Sequence, residues 1–510
     1  MINHHGVARV AGIPLLGLLA ASCLARKQME DSRTSLAPSS MARIGTIDER
    51  YQSYNVEMLE VTGGKFWKPY GPELDALLGQ PAASAPTTGG DTPAGMNPAL
   101  YQHLPPLDLT NVRLRKLASA LGPAYVRVSG TWANSTFFPE SDQAPKSPPA
   151  GFNGVLSREQ WRGLVNFANA ANAGIVTSFA TSVGTRDAAG LWTPEQARRL
   201  LDYTRSVGGR DFRAFRAFAK QAAPDMLILG PGSVGETTGD WGVSYGLAGV
   251  LSTRDLLAAT GPGIDAFSYH HYGAASIRCA AMGMQTTAEA ALSEQWLART
   301  DQTLAFYRKL RDEFEPGQPF WNTETADAAC GGNPWGGTFL DTFRYLDQLG
   351  RLAKQDVRVV AHNTLVASDY GLLDQTTLAP KPNYWGALLW RKLMGTTVLE
   401  SGLPIRGGLH AYAHCLRGVS GGVAALVINT DKAESQTLAI PTGAERYSLA
   451  AATSDLQTKS VRLNGTELAL DASDTLPLLE GVAAAAGRMT FAPGTITFLA
   501  LPEAGNRACR

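Results

Sequence analysis

Short apolar segments alternate with amphipathic segments of helical period between residues 45 and 395. This alternation is typical of a parallel sheet built from βα units. Two helix starts support it: Ser157-Arg158-Glu159-Gln160 is a capping-box motif, and Thr193-Pro194-Glu195 places a cap before a proline. The predicted strands cover residues 51–58, 124–128, 174–179, 226–229, 264–269, 319–322 and 357–361.

The ends of these strands favour a barrel over a doubly wound sheet. Nearly every strand ends in polar or aromatic residues, namely the segment 129–134, Ser182, Ser233, His270-His271-Tyr272, Glu324 and Asn363. A (β/α)8 barrel builds its active site from the carboxyl ends of its strands, so the pattern predicts a TIM-type barrel over residues 46–395. No glycine-rich phosphate-binding motif follows a strand, which disfavours a nucleotide-binding sheet.

One strand of the predicted barrel is missing from the pattern. Only seven strands are predicted, and the helix 193–207 continues through Gly208-Gly209-Arg210 into a second helix, 211–223. A barrel places a strand between two successive outer helices, and three residues are too few to supply it. We therefore predict a barrel that lacks its fourth strand.

The hydrophobic pattern changes near residue 396. Alternating segments such as 409–414, 423–429, 461–463 and 495–501 are separated by turn signals, which predicts an all-β sandwich over residues 396–510. Residues 26–45 are polar and predict a linker. Residues 80–98 are rich in Pro, Ala, Gly and Thr and predict an excursion loop.

Residues 1–25 have the features of a signal peptide. Arg9 precedes a short apolar run over residues 10–23, which fits a secretory segment better than a membrane span. The ending Leu19-Ala20-Ala21-Ser22-Cys23 is similar to a bacterial lipobox, although Ala20 stands where Leu is usual. Two alternatives stay open, a lipoprotein tethered to the membrane through Cys23 and a simply secreted protein, and both predict export.

The remaining cysteines, Cys279, Cys330, Cys415 and Cys509, are an even set for an oxidising compartment. They predict two disulfides, whose connectivity the spacing leaves open. No CxxC pair or other ligand cluster occurs, so neither a metal nor an organic cofactor is implied. Lys and Arg number 45 and Asp and Glu number 45, and the formal charge of +0 disfavours a nucleic-acid partner.

Glu324 is the strongest candidate for chemistry. It follows the apolar strand Pro319-Phe320-Trp321 and is flanked by an amide and hydroxyls in Asn322-Thr323-Glu324-Thr325. Glycosidic bond cleavage commonly uses two carboxylates, one that protonates the leaving oxygen and one that attacks the anomeric carbon. A carboxylate in this setting stays ionised and can serve as that nucleophile. The alternative is a solvated glutamate at a strand end.

The chain resembles the heparanase and β-glucuronidase family of retaining glycoside hydrolases, in particular its bacterial branch. The resemblance extends from about Tyr51 to Cys509, and it implies cleavage of β-glucuronide linkages in uronate-containing glycans. The matching stretches, which include Trp321-Asn322-Thr323-Glu324, are residues 51–57, 125–132, 229–233, 269–272, 321–324, 368–374 and 383–385.

The resemblance assigns roles to several residues. It makes Glu324 the nucleophile and places uronate-carboxylate recognition on the backbone amides of Gly331 and Gly332 and on the hydroxyl of Tyr370. Backbone donors bind a carboxylate without adding a mobile cation. Without the resemblance, the glycines would be interpreted as an ordinary turn and Tyr370 as a core residue.

Further residues follow from the same resemblance or from their position at neighbouring strand ends. Glu57 matches the family's acidic residue that contacts sugar hydroxyls, and Asn134 and Tyr272 are further candidates for substrate binding. Of His270 and His271, at least one is expected to be a packing residue. The family joins a Cys near the start of the β module to one near the C-terminus, which implies Cys415–Cys509 and leaves Cys279–Cys330.

The chain departs from the family at the general acid. The family carries this residue in an Asn-Glu-Pro motif at the end of the fourth strand, and no Asn-Glu-Pro occurs here. The motif belongs at the junction Gly208-Gly209-Arg210-Asp211, where the strand is also missing, which predicts a block that is deleted either naturally or through an error in the gene model. Glu236 and Asp240 follow the next strand, but nothing in the sequence places Glu236 near Glu324.

Three hypotheses follow. The first is a retaining β-glucuronidase or heparanase-like hydrolase. The second is a catalytically impaired relative that at most binds glycans, because the acid is absent. The third is a different specificity on the same barrel, such as an arabinofuranosidase or xylosidase, which Gly331-Gly332 with Tyr370 disfavour since neutral sugars need no carboxylate site. Endo or exo cleavage depends on the loops bordering the cleft, including 80–98 and 234–246.

Overall fold

The computed structural model describes residues 35–80, 97–208, 226–242, 251–282 and 284–510. The predicted signal peptide with Cys23, most of the loop 80–98 and the predicted helix 211–223 lie outside these ranges. None of the helices in the described ranges combines the length and apolar character needed to cross a bilayer.

Six of the seven predicted barrel strands are confirmed, the one predicted at 226–229 lies instead at Leu229–Ser233, and the seven form one parallel sheet. They are β1 (Gln52–Glu57), β2 (Ala124–Ser129), β3 (Ala173–Thr177), β4 (Leu229–Ser233), β5 (Ala266–Tyr272), β6 (Phe320–Ala326) and β7 (Val357–His362). Their order in the sheet is β3-β2-β1-β7-β6-β5-β4. The two outer strands are β3 and β4, and no strand of the described ranges lies between them.

Side chains of alternate strand residues fill the inside of this curved sheet. Tyr125, Val176, Ala266, Trp321 and Val359 form a separate apolar cluster, one residue from each of five strands. Because successive side chains of a strand point to opposite faces, residues two positions further along each strand point the same way, nearer the carboxyl end. The apolar cluster therefore fills the lower part of the barrel interior, and a polar layer lies above it, nearer the carboxyl ends of the strands.

Helices cover the outer face of the sheet. Several of them begin with a side-chain cap, as at Ser157, whose hydroxyl accepts from the amide of Gln160. The α-helices are Met58–Thr62, Pro72–Leu78, Val112–Ala120, Arg158–Ala170, Glu195–Ser206, Thr253–Thr260, Glu294–Leu297, Arg299–Phe314, Phe339–Lys354 and Pro382–Leu393. Short 3-10 helices cover Pro38–Ser40, Pro98–Leu100, Thr131–Ser135, Val183–Thr185, Ile277–Met282 and Arg507–Cys509.

The remainder of the chain forms the predicted antiparallel domain. Its large sheet contains Met394–Leu399, His410–Leu416, Val423–Asn429, Ala444–Ala451, Val461–Leu463, Thr466–Glu467, Val482–Ala484 and Thr495–Leu501. A two-stranded sheet, Gln436–Ile440 with Gly487–Phe491, packs against one face through a shared apolar core. Two small pairs, Gly64–Trp67 with Tyr101–Leu104 and Thr136–Phe137 with Gly154–Val155, lie among the barrel loops.

The segment before the barrel is part of this domain. Strand Arg43–Thr46 pairs with Met394–Leu399 at the edge of the large sheet, and Leu36 and Met41 are buried in its core. Residues 35–45, predicted as part of a linker, are therefore packed, and the predicted boundary at residue 396 falls inside Met394–Leu399.

Both disulfides are present in the implied pairing. Cys415 is bonded to Cys509 within the antiparallel domain, and Cys279 is bonded to Cys330 above the barrel. The second bond joins the segment Ile277–Met282 to the loop that follows β6. It therefore lies beside the glycine pair expected to recognise a carboxylate.

Helix Phe339–Lys354 joins the barrel to the antiparallel domain. All of its residues except Lys354 are buried, because barrel strands lie on one side and the large sheet lies on the other. The domain also caps its start, where the amides of Phe339 and Leu340 donate to the carbonyls of Thr458 (2.9 Å) and Leu456 (2.8 Å). Gly350 faces Tyr412 so closely that an added Cβ would lie 2.3 Å from the ring.

A buried ion cluster holds the same interface. Asp347 of the helix accepts hydrogen bonds from Arg351, His410 and Tyr412. Burial alone would lower the pKa of His410, but Asp347 and Glu294 outweigh it and raise that pKa to about 9. His410 is therefore charged at neutral pH and pairs with a carboxylate across the interface.

This arrangement predicts a loss of stability at alkaline pH. A group whose pKa is higher in the folded state contributes its full stabilisation below its unfolded pKa, here about 6.5, and loses it as pH rises through about 9. We expect His410→Gln to lower the free energy of unfolding by roughly 2–3 kcal/mol at pH 6. The variant should also show a smaller fall in melting temperature between pH 6.5 and 9, measured by calorimetry. The matched control is His414→Gln on the same strand. Burial lowers the pKa of His414 to about 4, so this variant should keep the alkaline slope. An unchanged slope in His410→Gln would contradict the prediction.

Candidate active site

A bulge in β6 places Glu324. Tyr269 of β5 lies opposite Asn322, but the next residue, His270, lies opposite Glu324, so β6 contains one extra residue at Thr323. The register with β7 shifts in the same stretch. Bulges re-aim side chains, and this one directs Glu324 inward beside His270.

Three side chains surround the Glu324 carboxylate. Arg127 Nη1 donates to Oε2 at 2.8 Å, and the Tyr272 hydroxyl donates to Oε1 at 2.7 Å. Arg127 Nη2 contacts His270 Nε2 at 3.3 Å, and since a guanidinium only donates, Nε2 is the acceptor and the proton of a neutral ring lies on Nδ1. Nδ1 faces Glu324 Oε2 at 3.6 Å. Side chains of Glu324, Arg127 and His270 are 15%, 13% and 14% exposed, so solvent reaches the cluster.

These contacts keep Glu324 ionised. Burial by itself would raise the pKa of Glu324, but His270, Arg127 and the hydrogen bond from Tyr272 lower it to about 2. Burial lowers the pKa of His270 to about 4, so this ring is neutral near pH 7 and Arg127 supplies the facing positive charge. An ionised, partly desolvated carboxylate held on two sides has the properties of a nucleophile.

Asn363, just after β7, connects the two tyrosines of the site. Its Nδ2 donates to the hydroxyls of Tyr272 and Tyr370, both at 3.0 Å. Its Oδ1 accepts from Asn55 Nδ2 at 3.1 Å. A hydrogen-bonded chain thus extends from Glu324 through Tyr272 and Asn363 to Tyr370. The hydroxyl proton of Tyr370 has no acceptor among the described residues.

Glu57 is buried at the end of β1, next to this chain. It directly precedes the helix Met58–Thr62, and the Glu60 side chain of that helix accepts from the Glu57 amide at 2.7 Å. Gly130 makes room for it: Gly130 has φ of 91°, and an added Cβ would lie 1.7 Å from Glu57 Oε2. Burial and the nearby Glu324 raise the pKa of Glu57, which favours a protonated carboxyl that can donate a hydrogen bond.

Gly331 and Gly332 lie beside Tyr370. They have φ of 82° and 87°, values that favour glycine, and an added Cβ on Gly332 would lie 2.9 Å from the Tyr370 ring. Their carbonyl oxygens accept from Ser368 and from Tyr70, whereas their amides donate to no group in the described ranges. Backbone amides and hydroxyl protons that lack a protein acceptor are groups that can bind an anionic oxygen.

Three sequence candidates have other surroundings. Asn134 is exposed on the 3-10 helix Thr131–Ser135, where its backbone carbonyl accepts from the amides of Thr181 and Ser182. Glu236 accepts hydrogen bonds from the amide and hydroxyl of Thr253 at the start of helix Thr253–Thr260, so it caps a helix. His271 points outward to Thr303 and is a packing residue, whereas His270 faces Glu324.

Sequence reasoning assigned no role to Arg127 and Asn55, and it noted Asn363 only as a polar residue at a strand end. Arg127 is the one charged residue in the apolar strand 124–128, and a lone inward charge on a barrel strand was the signal available. Asn363 and Asn55 lie at or near strand ends. They come together only because β1 pairs with β7, and the sequence does not show this pairing.

No protein-family model matches the chain. It is 25% identical over 481 residues to heparanase-like protein 1 of Arabidopsis thaliana, covering 80% of this chain and 87% of that protein. It is 27% identical over 458 residues to heparanase of Mus musculus, covering 73% and 82%. A shorter match to baicalin-beta-D-glucuronidase of Scutellaria baicalensis is 35% identical over 171 residues, 32% of each chain.

Solved structures share the fold. The GH51 alpha-L-arabinofuranosidase of Thermotoga petrophila RKU-1 aligns with a TM-score of 0.57 at 13% identity, covering 92% of this chain and 99% of that chain. A 4-O-alpha-L-rhamnosyl-beta-D-glucuronidase of Fusarium oxysporum 12S aligns with a TM-score of 0.55 at 11% identity and the same coverage. The TIM-type fold with an antiparallel domain is therefore shown, and the relatives support the predicted resemblance to heparanase- and glucuronidase-type glycoside hydrolases.

Removing Arg127 should shift the titration of Glu324. In Arg127→Met the carboxylate loses its facing guanidinium and one hydrogen bond, while His270 and Tyr272 remain, so its pKa should rise from about 2. Carbon-13 NMR of labelled glutamate side chains, with the resonance assigned by Glu324→Gln, measures this pKa. Arg113→Met removes a surface pair with Asp474 and should leave it unchanged. Equal titration midpoints in wild type and Arg127→Met would refute the assigned electrostatics.

Proposed function

We propose that the chain is a retaining glycoside hydrolase of the heparanase and β-glucuronidase type, acting on β-glucuronide linkages of uronate-containing glycans. The observation that carries the proposal is the hydrogen-bonded chain from the Glu324 carboxylate through Tyr272 and Asn363 to Tyr370, which lies beside Gly331 and Gly332. The relatives add support, since they include heparanases and a baicalin-beta-D-glucuronidase.

Glu324 is the proposed nucleophile. An Oε atom attacks the anomeric carbon, the bond to the leaving oxygen breaks, and a glucuronosyl ester of Glu324 forms. Water then hydrolyses that ester and restores the carboxylate. Arg127 and Tyr272 hold the attacking oxygens in place before reaction, and the low pKa of Glu324 keeps it unprotonated.

Uronate recognition is the proposed role of the glycine pair. The substrate carboxylate accepts from the amides of Gly331 and Gly332 and from the hydroxyl of Tyr370. Each such charge-assisted hydrogen bond is worth about 1.5–3 kcal/mol, which a neutral sugar cannot match. This supports a uronide over an arabinofuranoside or xyloside, although arabinofuranosidases share the fold. Contact with a sugar hydroxyl is the proposed role of Glu57, whose raised pKa favours a neutral carboxyl beside Glu324.

We also propose that the family's general acid is absent. The chain contains no Asn-Glu-Pro, and the outer strands β3 and β4 flank the position where the family has its fourth strand. Glu236 caps a helix and is not offered as a replacement. General acid catalysis typically contributes about 10²–10⁴-fold, so substrates with good leaving groups should react much faster than natural glycans. The alternative, a protein that only binds glycans, shares this observation.

Turnover tests the nucleophile. An aryl β-glucuronide with an activated phenolate leaving group should be hydrolysed by the wild type, and Glu324→Gln should lower kcat at least about 10³-fold. Glu236→Gln is the control and should leave the rate unchanged. If wild type and Glu324→Gln have equal rates, the hydrolase proposal is wrong and the binding alternative stands.

Azide tests for the missing acid and base. Without a general base, attack of water on the glucuronosyl ester is slow, whereas azide needs no proton removal. Added azide should therefore accelerate turnover of the activated substrate and yield β-glucuronosyl azide, and without azide intact-mass analysis should show the ester accumulating. Fast hydrolysis of a natural uronide, insensitive to azide, would show that an acid/base residue is present. Sequencing the encoding DNA around codons 209–211 for a strand and Asn-Glu-Pro block is the complementary check.

A further inference from the structure

Arg278 occupies an unusual position behind the glycine pair. Its side chain is fully buried, at 0% exposed, and it lies next to the Cys279–Cys330 disulfide. Four of its N–H groups are used: Nη1 donates to the carbonyls of Cys330 (3.3 Å) and Gly332 (3.2 Å), and Nη2 donates to the carbonyl of Lys68 (2.6 Å) and to Asp369 Oδ2 (2.5 Å). The guanidinium also stacks on Tyr70 at 3.9 Å.

Arg278 does not itself contact a substrate. It is fully covered by protein, and its charge is matched by Asp369. A direct ion pair with a uronate is therefore not its role. Its partners instead are two backbone carbonyls of the loop after β6, the Asp369 side chain of the loop after β7, and the carbonyl of Lys68. The loops after β6 and β7 supply the glycine amides and Tyr370.

Anchoring these carbonyls fixes the direction of the amides. In a trans peptide the C=O and the following N–H point in opposite directions. Arg278 and Ser276 hold the carbonyl of Cys330, so the Gly331 amide points away from them. Ser368 holds the carbonyl of Gly331 at 2.8 Å, so the Gly332 amide points away from Ser368.

The left-handed backbone makes this anchoring necessary. Cys330, Gly331 and Gly332 have φ of 63°, 82° and 87° in succession, and Cys330 adopts a conformation that non-glycine residues rarely take. Such a turn has few local hydrogen bonds of its own, and external donors fix its orientation. Arg278 is the donor that contacts two of its three carbonyls.

We infer that Arg278 is a positioning residue for specificity: through the carbonyl of Cys330 it orients the Gly331 amide toward a carboxylate, and through Asp369 it couples the glycine loop to the loop of Tyr370. The inference rests on the proposed function for the identity of the ligand. It assigns the preference for uronides over neutral glycosides to a buried cation that never touches the sugar.

Binding of two non-hydrolysable probes tests the inference separately from turnover. Phenyl thio-β-D-glucuronide and phenyl thio-β-D-glucoside differ only at the carboxylate, and calorimetry measures the Kd of each. We expect Arg278→Met to weaken the thioglucuronide about 10- to 100-fold and to leave the thioglucoside within about twofold. Arg278→Lys should recover part of the loss, because an ammonium can contact a carbonyl but cannot bridge both loops as the planar guanidinium does.

Two further variants keep the test decisive. Arg351→Met removes a comparably buried arginine at the domain interface, so it should lower stability without changing the ratio of the two Kd values. If Arg278→Met does not fold, Ser276→Ala removes the other donor to Cys330 and should lower the ratio by a smaller factor. The inference is overturned if Arg278→Met leaves the ratio of the two Kd values unchanged. If Arg278→Met does not fold, an unchanged ratio in Ser276→Ala overturns it. A wild type that binds both probes equally well also overturns it. Preferential binding without turnover of any glucuronide would instead leave the inference standing and remove the hydrolase proposal.

Discussion

A buried helix that carries charges on two sides determines how the parts of this molecule are placed. Helix Phe339–Lys354 contains Asp341–Arg344 and Asp347–Arg351 pairs, and buried pairs are tolerated only when every group finds its partners. Toward the barrel, Gln348 contacts Thr325, the residue after Glu324. Toward the antiparallel domain, Asp347 contacts His410 and Tyr412. The helix thereby connects the strand that carries the proposed nucleophile to the core of the antiparallel domain.

The electrostatics of the candidate site follow from a small number of buried groups. Arg127 is the cation that faces Glu324, while Arg278 is neutralised by Asp369 and serves the backbone. Glu57 lies close enough to Glu324 for one carboxyl to favour protonation when the other is ionised. One fold thus provides a charged carboxylate, a neutral carboxyl and a set of uncharged amide donors within one polar layer.

The sequence pattern predicted the large elements because their signals are local. Six of the barrel strands, the capping box at Ser157 and the antiparallel domain each depend on short runs of residues. The site itself was only partly predictable, since the inward direction of Glu324 depends on a bulge at Thr323 that leaves no periodic signal. Arg127, Asn55 and Asn363 are distant in sequence and meet only through strand pairing. Glu236 stands at a plausible strand end but satisfies a helix start instead.

The pairing of Arg43–Thr46 with Met394–Leu399 has a topological consequence. Asn506 Nδ2 donates to the carbonyls of Pro38 (2.6 Å) and Met41 (3.0 Å), so the two ends of the described chain are sealed to one another inside the antiparallel domain. The barrel is in effect a large insertion between the first strand of that domain and the rest. A chain made from its N-terminus can complete the barrel strands in order, whereas the smaller domain needs strands from both sides of the barrel. A permuted chain joined between residues 38 and 506 would make those contacts local in sequence.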